Sequence, residues 1–194
     1  SRAVVIATGV SYRRLGIAEL ESLAGAGVFY GASTIEAQAV AGKPVFVVGG
    51  GNSAGQAALH LARYAEQVTL LVRSRSLAAS MSDYLTREIE NTANVHVRYR
   101  SEVAGGGGDR RLEHLLIQDR DSGQTESLPA AGLFILIGAE PFTDWLPGAI
   151  ARDRWGFILT GPDAAPRWPL ARAPFLFETA TPGVFAVGDV RHGS

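Results

Sequence analysis

The chain of 194 residues contains no cysteine. Disulfides, thiolate metal sites and cysteine-based redox chemistry are therefore excluded for this polypeptide. It also lacks a charge bias, since 18 Lys and Arg against 19 Asp and Glu leave a net charge of −1. No broad electrostatic field draws it to nucleic acid or to an anionic membrane. Long apolar runs are missing too. The longest, Ala130 to Ala139, falls far short of the roughly 20 residues that cross a bilayer. The segment Ser1 to Gly9 reads as a buried strand rather than a signal peptide, which makes the cytoplasm the default location. The four histidines, His60, His96, His114 and His192, show no metal-ligand spacing, and no metal is assigned. What remains, 46% hydrophobic and 19% charged, is ordinary for a soluble globular protein of one large domain or two small ones.

Against this background one stretch stands out. The apolar run Val45-Phe46-Val47-Val48 stops at Gly49-Gly50-Gly51, and a helical pattern follows from Asn52 to Ala65. Strand, tight turn and helix start carry Gly49-x-Gly51-x-x-Ala54 across them. Gly49 permits the sharp turn, Gly51 permits a pyrophosphate to approach the backbone, and small Ala54 lets helix pack on strand. The free N–H groups and positive end of the helix would face the phosphates, so Gly49, Gly50, Gly51, Asn52, Ser53 and Ala54 form the candidate phosphate site.

A second strand, Val68 to Val72, ends in Arg73-Ser74-Arg75-Ser76. A site for NAD normally offers Asp or Glu there to the ribose 2′-hydroxyl, whereas arginine pairs with the 2′-phosphate of NADP. Two readings stand, phosphate recognition by Arg73 and Arg75 or solvated strand-end charges; the first is preferred, which favours NADPH.

The rest of the chain follows unevenly. A strand at 3–7 ends in Thr8-Gly9, a short helical pattern runs over 33–41, and a helix is expected over 80–91 with Ser80 or Ser82 as its cap. Val95, Val97 and Tyr99 alternate as a strand, and Leu112 to Leu128 reads as a hairpin about Asp121-Ser122-Gly123. The four glycines from Gly105 to Gly108 join two strands and are expected to form a plain turn. Leu133 to Ile137 forms a buried strand, a proline-rich stretch follows, and Thr181 to Asp189 closes on a strand with a carboxylate at its end.

Together these segments resemble the low-molecular-weight thioredoxin reductase family and its flavoprotein relatives. Thr8-Gly9, the fingerprint at 45–54, the strand from Ala131 to Pro141 and the closing Thr181-Pro182-Gly183-Val184-Phe185-Ala186-Val187-Gly188-Asp189 pattern carry the likeness over essentially the whole chain. The resemblance implies an α/β, Rossmann-like three-layer dinucleotide-binding domain with a β-meander over 14–135, flanked by partial FAD-domain segments at 1–13 and 136–194. It implies NADPH and FAD as cofactors, with Thr8, Gly9, Gly188 and Asp189 on the FAD side and Asp189 hydrogen-bonded to the ribityl chain. Ile137 and Gly138 would border the nicotinamide. It further implies a redox-protein acceptor and a homodimer when full-length.

Three departures qualify the likeness. The family's Cys-Ala-Thr-Cys-Asp falls on Ala32-Ser33-Thr34-Ile35-Glu36, so the dithiol is gone while an acid is kept at Glu36. Glu36 is either a proton donor near the flavin or, as preferred, a surface helical acid. The family's His-Arg-Arg-x-x-x-Arg becomes Val72-Arg73-Ser74-Arg75-Ser76-Leu77-Ala78, which keeps Arg73, offers Arg75 as a substitute, and predicts a weakened NADPH preference. The family's first FAD-binding segment and its last helix have no counterpart here, so the chain reads as a fragment that binds NADPH, holds FAD poorly and does not turn over alone. Other classes remain: a regulatory module that binds NADP(H) without catalysis, or a flavin-dependent reductase of ferredoxin or a quinone. Gly51-Asn52-Ser53-Ala54-Gly55 also spells the Gly-x-Ser-x-Gly of a hydrolase, with Asp189 and His192 following in triad order. That reading is disfavoured because Asp189 and His192 share one loop and Gly49, Gly50 and Arg73 would have no role.

Overall fold

Alternating side chains along Val45-Phe46-Val47-Val48 are buried on both sides, the mark of a strand sandwiched between two layers. The computed structural model describes residues 3–194. In chain order it contains strands β1 (Val4–Ile6) and β2 (Val10–Tyr12), helix α1 (Ala18–Glu21), β3 (Val28–Phe29), α2 (Thr34–Ala39) and β4 (Pro44–Val48). There follow α3 (Asn52–Leu61), β5 (Gln67–Val72), α4 (Asp83–Glu90), β6 (Val95–Tyr99), β7 (Ser101–Gly107), β8 (His114–Asp119) and β9 (Thr125–Pro129). The last strands are β10 (Gly132–Ile135), β11 (Ala139–Pro141) and β12 (Val184–Ala186). Two compact units result, one of Arg14–Ile137 and one of the residues up to Arg13 with Gly138–Ser194.

In the larger unit, β3, β10, β4, β5 and β6 lie side by side in a parallel sheet. Val45, Val47, Leu70 and Phe134 point to one face and pack with Ala54, Ala58 and Leu61 of α3 and Leu85 and Ile89 of α4. Phe46, Val48, Leu71, Leu133 and Ile135 point to the other and pack with Val103, Leu115 and Ile117 of the antiparallel meander β7-β8-β9. Helices, parallel sheet and meander are thus three layers, each joined by its own apolar contact. Among the described residues no helix is long and apolar enough to cross a membrane.

Several local expectations are corrected. The helix expected to reach Ala65 ends at Leu61, and the Tyr64 carbonyl instead accepts from the Gly42 N–H at 2.9 Å. The helix expected over 80–91 is Asp83–Glu90; Ser82 holds its N-cap position without a side-chain cap, and Ser80 donates elsewhere. Gly105, Gly106 and Gly107 are strand residues of β7, paired with Leu116, Leu115 and His114 after a bulge between Val103 and Gly105, so the turn starts later. Segment 3–7 is not a buried strand: Val4 and Val5 are 49% and 60% exposed and only Ile6 is buried, since β1 pairs with β12 alone among the described strands.

The smaller unit is largely irregular, and its loop 172–183 is organised by one carboxylate. Glu178, with its side chain 1% exposed, accepts both terminal nitrogens of Arg172 at 2.8 and 2.9 Å and the N–H groups of Phe175 and Gly183 at 3.0 and 2.9 Å. The Arg172 guanidinium, aided by those N–H groups, outweighs the cost of burial and holds Glu178 down to about 2 from 4.5. The charged form is the one that the fold stabilises. Its contribution is complete above the unfolded value and is lost as pH falls through the folded one.

Two predictions follow from this packing. The stability gap between the native chain and Glu178→Gln, read by urea unfolding, should be widest above about pH 5 and should close as pH falls toward about 2; a gap independent of pH would contradict the ion pair's role. A second concerns Gly49, where φ is +147° and an added Cβ would lie 2.4 Å from the Leu136 carbonyl oxygen and 2.9 Å from Ala54 Cβ. Gly49→Ala should lower unfolding stability by about 1–3 kcal/mol in the same assay.

Candidate functional site

The carboxyl ends of β4 and β5 lie together, because Val48 is paired with Leu71 and the Gly49 N–H donates to the Leu71 carbonyl at 3.2 Å. Beyond them the glycine turn and the arginine turn occupy one edge of the sheet, the edge where α/β folds receive ligands.

In the glycine turn the three positions have different causes. Gly49 is demanded by the fold itself, as the Leu136 contact shows. Gly51 is not: its backbone is extended (φ −95°, ψ 179°), and an added Cβ would meet only the Ser80 carbonyl, at 3.7 Å. The protein therefore leaves open space above Gly51, which suits the close approach of a phosphate. The ten-residue helix α3 starts there with no side chain capping its first turn, so its N–H groups and positive dipole end remain for an anion. Ala54 is fully buried against the strand. Ser53 is exposed at the helix start. Asn52 has a structural task, since its Oδ1 accepts from the Ser82 N–H at 2.8 Å. Ser80 Oγ donates to the Gly50 carbonyl at 2.8 Å. These two bonds tie the loop before α4 to the glycine turn.

At the end of β5, Arg73 and Arg75 both project into solvent. Sequence reasoning missed what surrounds them. Arg100, with a left-handed φ of 54°, donates its N–H to the Ser74 carbonyl at 3.1 Å and its Nη1 to the Arg73 carbonyl at 3.2 Å. Arg120 Nη1 reaches the same Arg73 carbonyl at 3.4 Å and its Nε pairs with Glu102 at 3.1 Å. Asp121, on the β8–β9 turn, takes Arg100 through Nε at 2.9 Å and Nη2 at 2.7 Å, and lies 4.0 Å from Arg75. The Arg100 guanidinium lowers the Asp121 carboxyl below its ordinary value. No local signal reveals this cluster, because its members come from three separate turns.

Ile137 packs on the meander-side core. Gly138 belongs to the smaller unit, where its carbonyl accepts from the Arg13 N–H at 3.0 Å. In that unit Thr8 and Gly9 follow β1 while Gly188 and Asp189 follow β12, and these parallel strands end together: Ile6 is paired with Ala186, and the Val187 N–H donates to the Ile6 carbonyl at 3.0 Å. Gly9 and Gly188 adopt φ of +67° and +72°, with nothing within 4 Å of a Cβ added at either. Asp189 is exposed and receives Ser194 Oγ at 3.4 Å. The backbone at this strand-end edge is therefore uncovered at both glycines.

Glu36 has a local explanation. Its carboxylate accepts from the Ser33 N–H at 2.8 Å while Ser33 Oγ accepts from the Glu36 N–H at 3.4 Å, a capping box that starts α2. Ile35, at one of the two positions where the resemblance expects cysteine, is 80% exposed. The triad order Ser53, Asp189, His192 loses its middle member. His192 Nδ1 pairs at 2.8 Å with Asp153, not with Asp189. Burial pushes Asp153 up, but His192 and the Trp155 and Phe157 N–H groups hold it below the usual carboxylate range.

Known proteins resemble the chain over nearly its whole length. The chain is 34% identical over 198 residues to a thioredoxin reductase of Debaryomyces hansenii, covering 97% of this chain and 55% of that protein. It is 32% identical over 189 residues to an NADH dehydrogenase of Ferdinandcohnia aciditolerans, covering 97% and 33%. The structure of thioredoxin reductase from Giardia duodenalis superposes with a TM-score of 0.81 at 27% identity, covering 99% of this chain and 58% of that one. The chain thus spans little more than half the length of the reductases it matches. Residues 1–194 match the pyridine nucleotide-disulphide oxidoreductase family throughout, and the chain belongs to that family.

Proposed function

We propose that the larger unit binds NADPH and serves a flavoprotein oxidoreductase in which hydride passes from NADPH to FAD. The observation that carries this reading is the open space over Gly51 at the uncapped start of α3, beside a strand that ends in arginine. Gly50, Gly51, Asn52, Ser53 and Ala54 would hold the pyrophosphate through backbone N–H groups, with Gly49 shaping the turn. Arg73 and Arg75 would hold the 2′-phosphate, the guanidinium being suited to phosphate by charge and fork geometry. Ile137 and Gly138 would border the nicotinamide. On the smaller unit, Thr8, Gly9, Gly188 and Asp189 would contact FAD, the Asp189 carboxylate accepting a hydrogen bond from a ribityl hydroxyl. When bound, the flavin supplies the hydride acceptor and the route to one- or two-electron products.

This chain's residues bind and orient; none of them is offered as an acid or base. With Ala32 and Ile35 where the resemblance expects a dithiol, this polypeptide does not itself relay electrons to a disulfide. The terminal acceptor would be a redox protein, a ferredoxin or a quinone, or else a disulfide reached through a dithiol on another polypeptide segment. A cytoplasmic homodimer is the assembly that the resemblance suggests.

Calorimetric titration of the 194-residue chain with NADPH and with NADH tests the reading. NADPH should bind severalfold more tightly, and Arg73→Ala should remove about tenfold of its affinity while changing NADH little. Absence of binding by a chain that is folded by circular dichroism would assign the glycine turn to structure alone.

A further inference from the structure

The arginines at the end of β5 do not face solvent alone: a carboxylate stands among them. Asp121 Oδ1 is shared between Arg100, at 2.7 and 2.9 Å, and Arg75, at 4.0 Å. Its turn is stiff. Asp119 accepts from the Asp121 N–H at 3.0 Å, the Ser122 N–H at 2.8 Å and Ser122 Oγ at 3.0 Å. Arg120 N–H bonds to the Arg100 carbonyl at 2.7 Å, and Arg100 in turn bonds to the carbonyls of Arg73 and Ser74. The hairpin turn and the arginine turn are thus one hydrogen-bonded body, and Asp121 is held at Arg75 rather than drifting past it.

Arg75 is 81% exposed and has no other ion pair among the described residues. A long, solvated side chain at 4.0 Å from one carboxylate exchanges partners at little cost. A dianionic phosphate is the stronger competitor for a guanidinium, yet a fixed carboxylate beside it repels that phosphate and engages the same donors. The other charges around the turn are Arg73, Arg100 and Arg120 on the cationic side and Asp119 and Glu102 on the anionic side, with Glu102 occupied by Arg120.

We propose that Asp121 is a specificity-determining residue that weakens discrimination between NADPH and NADH by competing with the 2′-phosphate for Arg75. This rests on the assignment of the 73–75 turn to the 2′-phosphate. Arg100 is the positioning residue that keeps the competitor in place. The fold thereby tunes coenzyme choice from a hairpin about 45 residues downstream of the motif that reads the phosphate.

The test is calorimetric titration of the 194-residue chain, Asp121→Asn, Arg75→Ala and the double variant with NADPH and NADH at low ionic strength. Asparagine keeps an acceptor for Arg100 and removes the charge, and thermal unfolding verifies each variant's fold. Asp121→Asn should tighten NADPH by about three- to tenfold and leave NADH within about twofold, and the gain should vanish in the Arg75→Ala background. An unchanged NADPH-to-NADH ratio in Asp121→Asn overturns the inference, as does a gain that survives without Arg75, which would make Asp121 a source of plain repulsion. If the native chain shows no preference for NADPH, the present reading of its coenzyme fails; a preference that then emerges only in Asp121→Asn still supports the competition. No binding of either nucleotide to any of the folded variants overturns both.

Discussion

At the end of β4 the backbone of Gly49 passes so close to the Leu136 carbonyl that no side chain fits between them. That contact joins the central strand to its neighbour β10 where the chain must reverse into α3. It also aims the start of α3 at the carboxyl edge of the sheet, with Ala54 packed beneath. The open turn above Gly51 and the alignment with the end of β5 both depend on this crossing. Displacing the backbone there would move the uncapped first-turn N–H groups and the helix together. Close packing of the strand–helix corner and access for a ligand are two consequences of the same small residues.

Polar groups around that corner divide into those that build it and those left free. Ser80 and Asn52 spend their hydrogen bonds on the loop before α4. Arg100 and Arg120 spend theirs on the carbonyl of Arg73. Left over are the Ser53 hydroxyl, the first-turn N–H groups of α3 and the Arg73 guanidinium, while Arg75 has only the Asp121 carboxylate, at 4.0 Å. These point to an anionic ligand because buried or backbone demands elsewhere do not consume them. In the smaller unit the division is similar: Glu178 is wholly engaged in shaping its loop, whereas Asp189 at the strand end stays exposed.

Membership of the pyridine nucleotide-disulphide oxidoreductases accounts for the sheet, the glycine turn and the strand-end aspartate together. Within that family the chain combines an open glycine turn at the start of α3 with Ala32 and Ile35 where the resemblance expects thiols. On the proposed reading, coenzyme binding would rest on residues of this chain, whereas the thiol positions of the resemblance are filled by residues that carry no redox chemistry.

How much was legible in the sequence follows from the range of the interactions concerned. The strand–turn–helix at Val45–Leu61 was readable because each of its signals is local: apolar alternation, glycine at the reversal and a helical repeat. The hairpin about Asp121-Ser122-Gly123 and the arginines after β5 were readable for the same reason. Three of the four glycines of 105–108 lie in a strand rather than a turn because a strand's identity depends on its partner, and the β8 backbone that pairs with Gly105, Gly106 and Gly107 is supplied by the fold. The burial of Val4 and Val5 was overestimated because burial requires a covering layer, which composition does not disclose. Glu36 reads from the sequence as a surface helical acid, and its exact task, closing a capping box with Ser33, is visible only in the geometry. Sequence alone determined the dinucleotide motif, the family likeness and the absence of thiols. Only the tertiary structure decided that Arg100, Arg120 and Asp121 gather at the arginine turn after β5, because charge pairing acts through space between segments that the sequence keeps far apart.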